Sequence, residues 1–135
     1  MNDAERESFL DRMLTATVAT VGPNGAAHSV PVWYRFDGEV FTVCPDSSRR
    51  WVKNVERNPL VSLVVAEHVP PFAAVVARGP AEVAVDEPGT DDEIRRIAER
   101  YLPAHEVTGY VAQWRGLRTI VRIKPRQVRS WARGF

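Results

Sequence analysis

The chain has 135 residues, enough for one domain over 1–135, and its 44% hydrophobic and 26% charged residues are the proportions of a folded protein. With 18 basic against 17 acidic side chains the net charge is +1, so no overall field steers it to nucleic acid or to a membrane. Cys44 is the single cysteine, which excludes an intrachain disulfide and the common cysteine-based zinc sites and agrees with a reducing compartment.

Met1 to Glu5 shows no basic stretch followed by an apolar run, so no signal peptide is expected. No apolar run approaches the ~20 residues of a membrane helix, and a cytoplasmic location is expected. Asn2 to Leu14 reads as a helix capped by Asn2, with Phe9, Leu10, Met13 and Leu14 on one side. Thr15 to Val21 is rich in β-branched residues and reads as a strand. Gly22-Pro23-Asn24-Gly25 is a turn, His28 to Phe36 a second strand, Asp37-Gly38 another turn and Glu39 to Cys44 a third strand, so three strands are expected in meander order.

Asp46 to Asn58 reads as a helix with Asp46 or Ser47 as N-cap and Pro59 after it. Leu60 to Ala66 is a buried strand, and His68 to Pro71 a loop. Phe72 to Val85 holds one long or two short strands, kinked or bulged at Gly79-Pro80. Thr90 to Glu93 forms a capping box, with Ile94, Ile97, Ala98 and Tyr101 as an apolar stripe behind it. His105 to Trp114 reads as a further helix, Leu117 to Lys124 as a strand with one wetter face, and Gln127 to Trp131 as a last strand. About six or seven strands with short turns and few helices point to a mainly β barrel or sandwich. Charge is uneven. Arg115, Arg118, Arg122, Lys124, Arg126, Arg129 and Arg133 have no acid among them, whereas Asp86, Glu87, Asp91, Asp92 and Glu93 crowd together.

The stretch from Ser47 to Arg57 is the richest in chemistry. At about 100° per residue, Trp51, Val52 and Val55 cluster on one side, and Arg49, Arg50, Lys53 and Arg57 on another. Like charges at this spacing repel. Ser47 and Ser48 precede them, at the end where free backbone N–H groups gather. Hydroxyls, free N–H groups and guanidinium forks together make a phosphate site. The alternative is a solvated helix face. In the strand from His28 to Trp33, Pro31 suits an edge, where the backbone is free to receive the polar rim of a flat heterocycle with Trp33 as an apolar wall. The alternative there is an ordinary edge strand with a surface histidine. His68 and His105 lack partners at ligand spacing, so no metal is expected. No glycine-rich phosphate loop and no Ser-His-Asp arrangement is present.

The succession His28-Ser29-Val30-Pro31-Val32-Trp33, Asp37-Gly38, Ser48-Arg49-Arg50 and Asn58-Pro59-Leu60-Val61-Ser62-Leu63-Val64 resembles the pyridoxamine phosphate oxidase-like, FMN-binding split-barrel superfamily. It looks most like the short actinobacterial members that use the deazaflavin coenzyme F-420, over roughly residues 7–131. The resemblance implies an antiparallel split β-barrel with flanking helices and a homodimer with two cofactor sites at the subunit interface. It implies that Ser48, Arg49 and Arg50 hold the cofactor phosphate, that Lys53 and Asn54 are polar neighbours of the site, and that Val30, Pro31, Val32 and Trp33 line the ring. Arg50 stands where the oxidases have lysine, and His28 and Tyr34 lie near the places of an arginine and a lysine that contact FMN. These departures point away from pyridoxamine phosphate oxidase activity itself. The implied function is an oxidoreductase passing a hydride from reduced F-420, or from FMN as the alternative, to a small electron-poor substrate. A cofactor-binding protein without turnover is the other reading. No protein acid or base is assigned.

Overall fold

The computed structural model describes residues 1–84 and 88–134, so Asp86 and Glu87 lie outside the described residues. Helix α1 (Asp3–Leu10) starts as expected, with the Asn2 side chain accepting the Glu5 N–H at 2.8 Å. It stops short of Leu14. The Leu10 carbonyl, which a longer helix would use, instead accepts the Tyr34 hydroxyl at 2.7 Å and an Arg100 N–H at 3.2 Å. Phe9 and Leu10 are buried and Met13 is exposed.

Strands β1 (Ala16–Val21) and β2 (Ala27–Val32) form a hairpin across a turn in which Asn24 and Gly25 take φ of 63° and 77°. Two residues later the chain enters β3 (Arg35–Phe36), which pairs with β4 (Phe41–Val43) around a turn where Asp37 accepts the Glu39 and Val40 N–H groups. The meander expectation fails between them. The stretch His28 to Phe36 breaks at Trp33-Tyr34, and the third strand pairs with β3 and β7 (Ile120–Ile123), not with β2. The remaining strands are β5 (Leu60–Ala66), β6 (Ala74–Ala84) and β8 (Gln127–Trp131). The sheet runs in the order β2-β1-β5-β6-β7-β4-β3, with β8 pairing to β6.

That order fixes the shape. If flat, the path from β2 to β3 would span about 29 Å at the usual strand spacing. Trp33 and Tyr34 alone bridge its ends, a reach of at most about 11 Å. The antiparallel sheet therefore curls into a half-barrel whose first and last strands meet without hydrogen bonding, a split barrel. Tyr34 turns inward at the split and is fully buried.

β6 holds the two halves together. One edge pairs with β5 over Ala74–Pro80, and β6 pairs further with β8 over Ala74–Arg78 and with β7 over Ala81–Ala84. The two partners change over at Gly79-Pro80, where the sequence suggests a kink. A Cβ on Gly79 would collide with the Lys124 carbonyl oxygen and lie 2.9 Å from the Arg126 nitrogen. Only glycine lets the backbones approach so closely.

Inward residues of alternate register fill the barrel, among them Val18, Leu63, Val65, Val75, Val121 and Ile123. Helix α2 (Arg50–Arg57) adds Trp51, Val52 and Val55. A second, smaller core lies outside. Helices α3 (Thr90–Tyr101) and α4 (Ala104–Trp114) pack Ile94, Ile97, Ala98, Val107 and Val111 onto Cys44 and Ile120. Ile120 thus covers the face of β7 that the sequence marked as wetter. The capping box expected at Thr90 does not form. Gly89 at φ 93° is the N-cap, without a side-chain cap bond, and Glu93 instead receives two Arg35 hydrogen bonds of 2.8 Å. That bidentate pair ties α3 to β3 beside the split.

Gly79→Ala is expected to destabilise the fold by about 1–3 kcal/mol, because the added methyl must displace backbone; urea unfolding reads it, and an unchanged midpoint would contradict the close approach. The Arg35 hydrogen bonds hold the Glu93 carboxyl below its ordinary 4.5. The unfolded chain then takes up the proton first, so this stabilisation is whole above that value and is lost as pH falls through the lower folded value. Glu93→Gln is expected to cost about 1–3 kcal/mol at pH 7. The difference from wild type should narrow toward pH 3.5 in the same unfolding assay.

Candidate functional site

A cleft of about 420 Å³ opens between the two cores, within the usual range for small-ligand sites. The barrel side supplies Val30, Val32, Val43 and Trp51, and the helical side supplies Cys44, Ile94 and Ile97. An aromatic row closes it. Trp33 stacks on Tyr101 with ring centroids 4.9 Å apart and planes 11° apart, and the Tyr110 ring sits 5.4 Å from Trp33, tilted by 31°. Trp114 follows one helical turn beyond Tyr110, at 6.4 Å. With Trp114 tilted 55° from Tyr110 as well, the three rings that line the cleft make an apolar but uneven aromatic wall.

Arg118 ends the row. Its guanidinium lies 4.0 Å over the Trp114 ring and donates to the Cys44 carbonyl and, at 3.0 Å, to the Tyr110 hydroxyl. Its Nε is buried with no hydrogen-bond partner among the described residues. The segment holding Arg118 is anchored to the start of the α2 loop: the Ser47 N–H donates to the Leu117 carbonyl and the Thr119 N–H to the Pro45 carbonyl, both at 3.0 Å.

Asp46 shapes the mouth. Its carboxylate accepts the Ser48 N–H at 2.9 Å and the Ser48 hydroxyl at 2.7 Å, and its carbonyl accepts the Arg49 N–H at 3.1 Å. This tight turn delays α2 until Arg50, four positions beyond the Asp46 start expected from the sequence. Ser48's hydrogen bonds hold the Asp46 carboxyl below the usual carboxylate range. Burial pushes the Cys44 thiol up to about 12, so it stays neutral. Burial likewise raises Tyr34 to about 12.

The structure separates the expected site residues into three groups. Val30, Pro31, Val32, Trp33 and Arg49 all line the cleft. Arg50 and Lys53 are exposed on α2 close by, and Ser47 and Ser48 have their hydroxyls turned to Leu117 and Asp46. His28 is exposed on β2 opposite Thr20, and Asn54 is buried, donating to the Thr20 hydroxyl at 3.1 Å; neither lines the cleft. Pro31 does sit on an edge strand, since β2 ends the sheet path. Tyr110, Trp114, Arg118, Cys44 and Asp46 were not singled out from the sequence as site residues. The four-residue spacing of Tyr110 and Trp114 was the available signal, because it puts both rings on one helix face. Among the described residues no cluster of metal-ligating side chains occurs, and no helix is long and apolar enough to cross a membrane.

Residues 3–132 match the family model described as pyridoxamine 5'-phosphate oxidase. Among solved structures the chain is similar to the conserved hypothetical protein Rv2991 from Mycobacterium tuberculosis, at 31% identity and TM-score 0.83, over 97% of this chain and 84% of that one. It is similar to an F-420 reductase at 27% identity and TM-score 0.72, over 91% of this chain and 94% of that one. It shares its fold with HutZ, a heme storage protein from Vibrio cholerae, at 21% identity and TM-score 0.74, over 98% of this chain and 94% of that one. No curated protein matches the sequence.

The buried, neutral Cys44 is expected to resist iodoacetamide at pH 8 in the folded protein and to react promptly in urea. Rapid labelling of the folded protein, read by mass spectrometry, would show that the cleft floor is open to solvent.

Proposed function

The chain belongs to the pyridoxamine 5'-phosphate oxidase family, and from that premise we propose that it is an oxidoreductase that uses reduced coenzyme F-420 to transfer a hydride to a small, electron-poor organic substrate. The observation that carries this reading is the cleft at the split, with the Trp33, Tyr110 and Trp114 rings along one wall and Arg49 among its lining residues. A flat ring system with an anionic tail fits that donor set. The rings receive the planar part, the β2 edge offers backbone groups to its rim, and the guanidinium groups answer the charge.

The bound deazaflavin would supply the hydride chemistry, and the protein position and electrostatics. Arg49 and Arg50 would hold its phosphate. Trp33 and Val32 would give its ring an apolar wall that excludes water. The Cys44 thiol, neutral and buried, neither attacks nor accepts a proton. Ser48's hydrogen bonds hold the Asp46 carboxyl below the usual range, which does not suit it to serve as an acid, and the proton of the reduced product would come from solvent. Similarity to an F-420 reductase supports the deazaflavin over FMN, which is the second reading on the same cleft. No histidine lines the cleft among the described residues, so the histidine ligation common for haem iron has no counterpart there. The reading includes a homodimer in which a second copy completes the cofactor site; the exposed Leu117, beside Ser47, offers it an apolar contact.

Changing Arg49 and Arg50 together to Ala is expected to weaken F-420 binding by about 2–4 kcal/mol, since each is a charge-assisted contact. Fluorescence titration reads this, and an unchanged dissociation constant removes both arginines from the site. Parallel titration of the wild-type protein with F-420 and FMN is expected to favour F-420.

A further inference from the structure

We propose that the substrate is a flat organic acid and that Arg118 receives its carboxylate. The inference rests on the cofactor reading above and names the class of molecule that enters beside the cofactor. Among the described residues, three charged side chains line the cleft: Asp46, Arg49 and Arg118. The Asp46 carboxylate is committed to the Ser48 N–H and hydroxyl, at 2.9 and 2.7 Å. Arg118 has neutral partners throughout: the Cys44 carbonyl, the Tyr110 hydroxyl at 3.0 Å and the Trp114 ring at 4.0 Å. Its backbone bridges to that of Asp46, yet none of the ion pairs among the described residues includes it. Two guanidiniums against one carboxylate leave the lining positive. A cofactor phosphate held by Arg49 and Arg50 would leave Arg118 without a counter-ion.

Hydrogen-bond supply points the same way. A guanidinium carries five N–H groups. Two donate to Cys44 and Tyr110, and the buried Nε has no acceptor among the described residues. Holding a half-buried cation without an anion costs free energy, which an entering carboxylate offsets. The Trp114 ring fixes the plane of the guanidinium, and a planar fork matches the two oxygens of a carboxylate. The same lining includes Trp33, Tyr110, Trp114, Ile94 and Ile97, so the charge is best carried at the end of a flat apolar frame.

The test uses trans-cinnamate and trans-cinnamamide, which share one flat frame and differ in charge. Calorimetric titration of the wild-type chain at pH 7 is expected to give cinnamate at least about tenfold the affinity of the amide, the worth of one charge-assisted contact. Equal binding of the two, or binding of neither, overturns the proposal. Arg118→Gln keeps an N–H donor for the Cys44 carbonyl and removes the charge. In that variant the ratio is expected to fall to within about threefold, while the F-420 dissociation constant stays within about threefold of wild type. An unchanged ratio overturns the proposal. So does F-420 weakening in step with cinnamate, which gives Arg118 to the cofactor's own anionic tail. A measurement without a variant covers loss of folding in Arg118→Gln. Wild type saturated with F-420 is expected to keep its preference for cinnamate over the amide. Displacement of cinnamate by F-420 places the anion in the cofactor's own site and overturns the assignment while leaving the cofactor reading intact. Failure of F-420 to bind overturns the cofactor reading itself, and this inference with it.

Discussion

The architecture depends on one short tether. Trp33 and Tyr34 are all that separates β2 from β3, the opposite ends of the sheet. A tether so short leaves the sheet no choice but to roll up, and it leaves the two end strands adjacent but unpaired. The unpaired line would be costly if it exposed backbone to apolar surroundings. Tyr34 and Tyr101 close it. The Tyr34 N–H donates to the Tyr101 hydroxyl at 3.3 Å, the Tyr101 hydroxyl donates to the Leu14 carbonyl at 2.7 Å, and the Arg100 guanidinium lies 4.7 Å over the Tyr34 ring. The same tether points its two side chains apart, Tyr34 into the barrel and Trp33 into the cleft. Fold and site thus share a dipeptide.

Charges repeat this double use. Arg35 and Glu93 fasten the helical layer to the barrel, and Arg100 ties α3 to the end of α1 through the Leu10 and Arg12 carbonyls. Arg118 fastens α4 to the strand end at Cys44. These cations are engaged in holding one element to another. Arg49 and Arg50 stay exposed at the cleft mouth, without a structural duty of that kind. The contrast separates cations that build the cleft from cations suited to meet what enters it, and Arg118 does both.

Much of the fold was legible in local pattern. Leu60 to Ala66 and Gln127 to Trp131 coincide with the strands read from the sequence, and α4 begins one residue before His105. The errors share a cause, because each local signal lost to a tertiary partner. The capping box at Thr90 lost Glu93 to Arg35, and α1 lost its last turn to the Tyr34 hydroxyl. The long second strand had no turn residue to announce its break, since the break comes from which strands pair and not from local propensity. The site divides along the same line. Residues contiguous in sequence, Val30 to Trp33 and the run around Arg49, stood out. Tyr110, Trp114 and Arg118 reach the cleft only because α3 and α4 fold back over β7; the spacing of the two rings puts them on one helix face but does not tell what that face meets.

The outer wall of the cleft belongs to a helical hairpin with its own small core of Ile94, Ile97, Val107 and Val111, while the inner wall belongs to the barrel. Substitutions at Tyr110 and Trp114, the α4 residues that line the cleft, therefore reshape the space offered to a guest from outside the barrel core. On the outer wall, then, guest preference is written on a different stretch of sequence from the barrel's strands. A lineage can explore new chemistry by drifting along one stretch while selection keeps the other still.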